Sequence, residues 1–154
     1  MNPAVALAVL ALPACSPELA VLPLDATLCV SPRLTTERVE ALGLAIDAWR
    51  VSTNGTVALS QSMTDEPNAC AYSVQPWRFD DPSKIGSTRR YADQIKILVD
   101  QQKDATIGGA WAAEFFVHEL GHALGLGHAP DGIMRATTGW SFGACVVGAA
   151  LAAS

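Results

Sequence analysis

Alternating apolar and polar positions predict a succession of strands and helices between residues 27 and 124. Thr27–Ser31 (TLCVS) alternates with period two and predicts a first strand, closed by Pro32. Thr35–Arg50 carries Val39, Leu42, Ile46 and Trp49 at helical spacing, with a threonine available as N-cap, and predicts an amphipathic helix. Asn54-Gly55 signals a turn, and Thr56–Ser60 (TVALS) predicts a second strand. Strand, helix and strand together suggest a right-handed βαβ unit. Met63–Ala69 reads as loop, and Cys70–Gln75 as a third strand with Cys70, Tyr72 and Val74 on one face. After a break at Asp80–Lys84, Ile85–Ala92 and Gln94–Asp100 predict two strands close in sequence. Ile95, Ile97 and Val99 point inward in the second, while the polar, charged first suits a sheet edge. Gln101–Gly109 connects to a helix from Ala110 to about Leu124. Its core-facing stripe is Ala113, Phe116, Leu120 and Leu124, with His118 and His122 on another face. The small, apolar tail from Trp140 to Ser154 predicts a short terminal helix packed against the domain.

Length and composition add bounds. A chain of 154 residues, half of them hydrophobic, suggests one domain with a modest core. A net charge of −5 without any basic run argues against nucleic acid as a partner. The apolar run Ala4–Leu12 is too short to span a bilayer and reads as the centre of a secretory signal peptide over residues 1–14, although no Lys or Arg precedes it. Leu12–Cys15 (LPAC) is similar to a bacterial lipobox, which favours a lipidated Cys15; the alternative is cleavage near Ala14 with Cys15 in a disulfide. The expectation is an exported protein, secreted or held in the cell envelope, with membrane contact only through that lipid. Residues 15–26 then form a linker or extended lead-in, and 27–154 the folded domain. If Cys15 carries lipid, Cys29, Cys70 and Cys145 allow one disulfide and one thiol; otherwise two disulfides are open, in three connectivities. No C-x-x-C pair supports a cysteine-based zinc knot.

All three histidines of the chain fall within the eleven residues HELGHALGLGH, His118 to His128. Histidines four apart on a helix share a face, so His118 and His122 can reach one ion, with Glu119 beside it as a general base. On a continuous helix His128 would lie roughly 9 Å beyond His122, out of reach of an ion whose bonds to nitrogen are about 2.0–2.1 Å. The chain must therefore reverse. Gly125 stands where a left-handed residue is required, and Gly127 loosens the return further. Three imidazoles leave a fourth tetrahedral position for water, which marks a hydrolytic zinc site.

His118, Glu119, His122, Gly125 and His128 resemble the metzincin signature, H-E-x-x-H-x-x-G-x-x-H, and Met134 in DGIMRA resembles the methionine of that family's Met-turn. The wording of the run is most similar to the matrixin-like branch; the strong match covers about Glu114–Ala136. The resemblance implies an α+β fold: a twisted mixed five-stranded sheet, a backing helix and an active-site helix. It implies a zinc endopeptidase whose protein or peptide substrate lies extended along an antiparallel edge strand; separately, the chain is expected to be a monomer. The matching segment is Ile85–Tyr91, with Ile85, Gly86, Ser87, Thr88 and Arg89 as contact residues. The chain departs from the family in several ways. The loop from His128 to Met134 is short, no tyrosine follows Tyr91, no histidine remains for a second zinc, and no cysteine-switch segment is visible. Only a short tail follows Met134, in which Thr137, Thr138 and Trp140 read more readily as packing residues than as a pocket wall.

Two readings from other classes stand beside the endopeptidase. One is a non-catalytic exported protein whose zinc stabilises a surface or binding face; the other is a hydrolase of small amides. Glu119 weighs against the first, because a structural site needs no base. Glu114, one turn before His118, is either a partner of the site or part of a solvated face. Asp131 begins an Asp-Gly turn. Calcium at Asp80, Asp81 and Asp100 is unsupported by any ligand spacing.

Overall fold

A computed structural model of the chain describes residues 20–81, 84–100, 109–130 and 132–135. Five strands and two helices follow one another: β1 (Thr27–Val30), α1 (Thr36–Ser52), β2 (Ser60–Met63), β3 (Tyr72–Trp77), β4 (Gly86–Arg90), β5 (Ile95–Asp100) and α2 (Gly109–Ala123). The strands form one mixed sheet in the order β2-β1-β3-β5-β4, with β4 antiparallel to β5 and every other pairing parallel. This is an α+β architecture. The segment expected to be a signal peptide (1–14), Cys15, the connection 101–108, Asp131, the tail with Thr137, Thr138 and Trp140, and Cys145 lie outside the described residues.

The hydrophobic periodicity accounts for the core. Leu28 and Val30 of β1, Val74 of β3, and Ile95, Ile97 and Val99 of β5 are buried with Leu42, Ile46 and Trp49 of α1 and Ala113, Phe116 and Leu120 of α2. The α1 face is rotated from the one the spacing predicts: Val39 is only partly buried, whereas Ala41 and Ala45 pack fully. Trp49 is tied to α2 by its indole N–H, which donates to the Val117 carbonyl at 3.0 Å. That bond fixes the two helices at the point beneath the histidines.

Two strands differ from the sequence expectations. The second strand begins at Ser60, not at Thr56, and runs through Met63. Val57 and Leu59 are buried as their alternation demands. Their stretch, however, lies beside the lead-in, where Ala58 N donates to Leu24 O, and only Ser60 onwards pairs with β1. The third strand continues through Pro76 to Trp77. Pro76 is tolerated because pairing with β1 ends at Val74, so the missing N–H faces no strand on that side. Residues 20–26 form an extended lead-in tied to the domain: Ala20 N donates to Tyr91 O and Leu22 N to Ala123 O, and Leu22 is 1% exposed.

Cys29 and Cys70 form a disulfide, linking β1 to the residue that follows a 3-10 turn at Pro67–Ala69 and leads into β3. Cys70 therefore precedes the third strand rather than sharing its face. Asn54 and Gly55 both take positive φ, 50° and 83°, and make the turn their sequence predicts.

Candidate metal centre

Helix α2 presents His118 and His122 one turn apart, both half-buried, and then stops. The stop is a Schellman motif. Gly125 N donates to His122 O at 3.1 Å, Leu126 N donates to Gly121 O at 2.9 Å, and Gly125 has φ +93°. A side chain at Gly125 would face the left-handed region that L residues avoid. The reversal brings exposed His128 back to the end of the helix. Gly127 has neither a positive φ nor a neighbour that a Cβ would meet, so the predicted loosening at that position is not needed for the return.

The three imidazoles converge. Nε2 of His122 lies 3.0 Å from Nε2 of His118 and 3.1 Å from Nε2 of His128. Nitrogens bonded at about 2.0–2.1 Å to one tetrahedral ion stand roughly 3.3–3.4 Å apart, so the separations are near those of a shared ion. Among the described residues this is the only group of three or more His, Cys, Asp or Glu side chains placed to hold a metal. Asp80, Asp81 and Asp100 make no such group; Asp100 is buried and accepts from Phe79 N.

The outer nitrogens define the tautomers. Nδ1 of His118 lies 2.7 Å from the Ile133 carbonyl, and Nδ1 of His122 lies 2.9 Å from the Leu126 carbonyl. A carbonyl oxygen only accepts, so each Nδ1 carries a proton and donates it, which turns each Nε2 inward as the atom that can bind a metal. Burial, with the neighbouring His122 and His128, holds His118 below the usual imidazole range, against the opposing pull of the Ile133 carbonyl. The two Nε2 atoms thus face each other 3.0 Å apart. The donor set of three imidazole nitrogens fits a divalent metal. These three histidines can hold a metal ion.

The short loop after His128 shapes the floor. Ala129 N donates to Met134 O at 2.9 Å, and Gly132 turns with φ +73°. This closure carries the Ile133 carbonyl to His118 and buries Met134 against α2. A Cβ on Gly121 would overlap the Met134 sulfur and come within 3.4 Å of Trp49. Gly121 is thus the residue that lets Met134 approach the helix.

Glu119 is 7% exposed. Burial pushes its carboxyl above the usual range, while a hydrogen bond from Thr88 and the charges of His122 and Lys84 draw it back. The Thr88 hydroxyl lies 2.7 Å from Glu119 Oε2 and 2.9 Å from the Glu119 main-chain oxygen. Glu114 is half-buried; its Oε2 is shielded from solvent and has no hydrogen-bond partner among the described residues, and burial raises its pKa.

The segment Ile85–Arg89 lies where the sequence placed it, at the antiparallel edge. Ile85 precedes β4 and its carbonyl accepts from Asp100 N. Gly86 and Thr88 face α2; a Cβ at Gly86 would strike the Phe115 ring. Arg89 faces the other side of the sheet, with its guanidinium over the Trp77 ring at 5.4 Å. Sequence reasoning missed the Ile133 and Leu126 carbonyls, the role of Gly121, and the contact from Thr88 to Glu119. Main-chain acceptors leave no residue signature, but the Gly at position 121 inside an otherwise helix-favouring run was a readable sign of close packing. Comparison with models of protein families and with curated proteins finds no match for this chain.

Proposed function

We propose that the chain is a zinc-dependent endopeptidase of the metzincin type, closest in character to the matrixin-like branch, acting as an exported monomer on peptide bound in extended form. One observation carries the reading: three Nε2 atoms face one point beside a buried carboxylate, with two of the rings locked by their outer nitrogens. A purely structural zinc site needs no such carboxylate.

His118, His122 and His128 would hold the zinc, and Met134 underlies them. Zinc at this position supplies Lewis acidity, which acidifies water and polarises a carbonyl. Glu119 accepts the proton of a water as that water adds to the peptide carbonyl carbon. It then returns the proton to the amide nitrogen as the C–N bond breaks, releasing an amine. Strand β4 supports the other half of the reading. It is the last strand of the sheet, and an extended peptide can pair with its outer edge and pass in front of Glu119. The Cys29–Cys70 disulfide favours an oxidising compartment and supports export. No described helix is long and apolar enough to cross a membrane.

The test compares hydrolysis of casein by the purified chain, with and without a chelator, and by Glu119→Gln. The wild-type chain cleaves and stops on chelation. Glu119→Gln binds one zinc per chain, and its turnover falls by roughly 10²- to 10⁴-fold. Equal turnover in the two proteins, or turnover indifferent to chelation, contradicts the proposal.

A further inference from the structure

We infer that Thr88 is a positioning residue that couples the seating of substrate on β4 to the orientation of Glu119; the inference rests on the endopeptidase reading above. Its basis is the double role forced on one residue at the middle of the edge strand. Ile85 and Tyr91 direct main-chain groups toward β5, through Asp100 N to Ile85 O and Tyr91 N to Gln94 O. Antiparallel pairing alternates, so Ser87 and Arg89 also pair inward, against Leu98 and Lys96. The N–H and C=O of Gly86, Thr88 and Arg90 therefore point away from β5, toward the edge that no other described strand covers. Thr88 thus offers its main chain to a bound peptide while its side chain points at α2.

There the hydroxyl reaches two of the oxygens of Glu119, Oε2 at 2.7 Å and the main-chain oxygen at 2.9 Å. The hydroxyl has one hydrogen and lone pairs to accept with. When Glu119 is a carboxylate, the hydroxyl donates to Oε2 and fixes that oxygen, leaving Oε1 to take the proton of the attacking water. Peptide pairing that stiffens β4 at Thr88 stiffens the carboxylate in the same motion. Gly86 adds to the precision, because the absence of a Cβ lets β4 lie against Phe115 of α2.

The experiment uses the full, zinc-loaded chain with Thr88→Val, which keeps the shape and β-branching but removes the hydroxyl, and Thr88→Ser, which keeps the hydroxyl. The substrate is a quenched-fluorescent peptide that the wild-type chain cleaves. Thr88→Val is expected to bind one zinc and to hold KM within about twofold, while kcat falls roughly 10- to 100-fold. Thr88→Ser is expected to recover kcat to within a few-fold of wild type. Unchanged kcat in Thr88→Val, a loss confined to KM, or a Thr88→Ser as impaired as Thr88→Val overturns the coupling while leaving the endopeptidase reading intact. A wild-type chain that cleaves nothing, or a Glu119→Gln as active as wild type, overturns both.

Discussion

At the scale of single residues, the centre depends on a glycine and two carbonyls as much as on its histidines. Gly125 holds φ +93°, and an alanine there costs about 1–2 kcal/mol and pulls the chain away from the return that delivers His128. Gly125→Ala is expected to weaken zinc binding by about tenfold or more, measured by competition with a chelating dye, an amount equivalent to about 1.4 kcal/mol. Gly127→Ala is expected to bind zinc as wild type does and to shift stability by less than about 0.5 kcal/mol, because its Cβ meets nothing. Equal losses at both positions would show that the loop, rather than the helix stop, sets the third ligand. The converging histidines, the buried Glu119 beside them and Gly125 were legible from the sequence because their spacing is dictated by helix geometry and its interruption. Ile133 and Leu126 were not, since what they contribute is a main-chain oxygen that any residue carries.

At the scale of elements, two helical glycines separate propensity from packing. Gly43 in α1 has only the Gln61 amide nitrogen at 3.4 Å from a Cβ, the end of a flexible side chain. Gly43→Ala is expected to stabilise the chain by about 0.5–1 kcal/mol through helix propensity. Gly121 in α2 is backed by Met134 and Trp49. Gly121→Ala is expected to destabilise by about 1–3 kcal/mol as Met134 is forced aside. Chemical denaturation of both variants checks the signs, and a stabilising Gly121→Ala would contradict the packed floor described here. Strand limits show what periodicity resolves and what it does not. The inward positions Ile95, Ile97 and Val99 and the helix stripe Ala113, Phe116, Leu120 and Leu124 are all buried as their spacing demands. The strand SQSM is wholly exposed and polar but for Met63, so nothing in its pattern marks it; it is a strand because β1 pairs with it. Pro76 hid the end of β3 for the opposite reason, since a proline argues against a strand unless one side is unpaired.

At the scale of the whole molecule, the disulfide and the lead-in hold the sheet on which the centre rests. The Cys29–Cys70 bond spans 41 residues, for which chain-entropy reasoning gives about 4 kcal/mol of stabilisation. The double variant Cys29→Ala with Cys70→Ala is expected to lose about 2–4 kcal/mol in thermal or denaturant unfolding. A chain of unchanged stability would contradict that role. The pairing was open in the sequence because four cysteines permit several connectivities; it is decided by the parallel packing of β1 beside β3. The order of elements and the mixed sheet were legible, as was the edge position of β4, whose polar and charged residues suit an uncovered strand.

The most direct test is a zinc titration followed by ¹⁵N NMR of the imidazoles, which are only three in this chain. The Nε2 resonances of His118, His122 and His128 are predicted to shift together and to saturate at one equivalent, while Nδ1 of His118 and His122 keep their protons. Zinc uptake that leaves any of the three Nε2 resonances unmoved, or that needs more than one equivalent to shift them, would contradict a single shared ion.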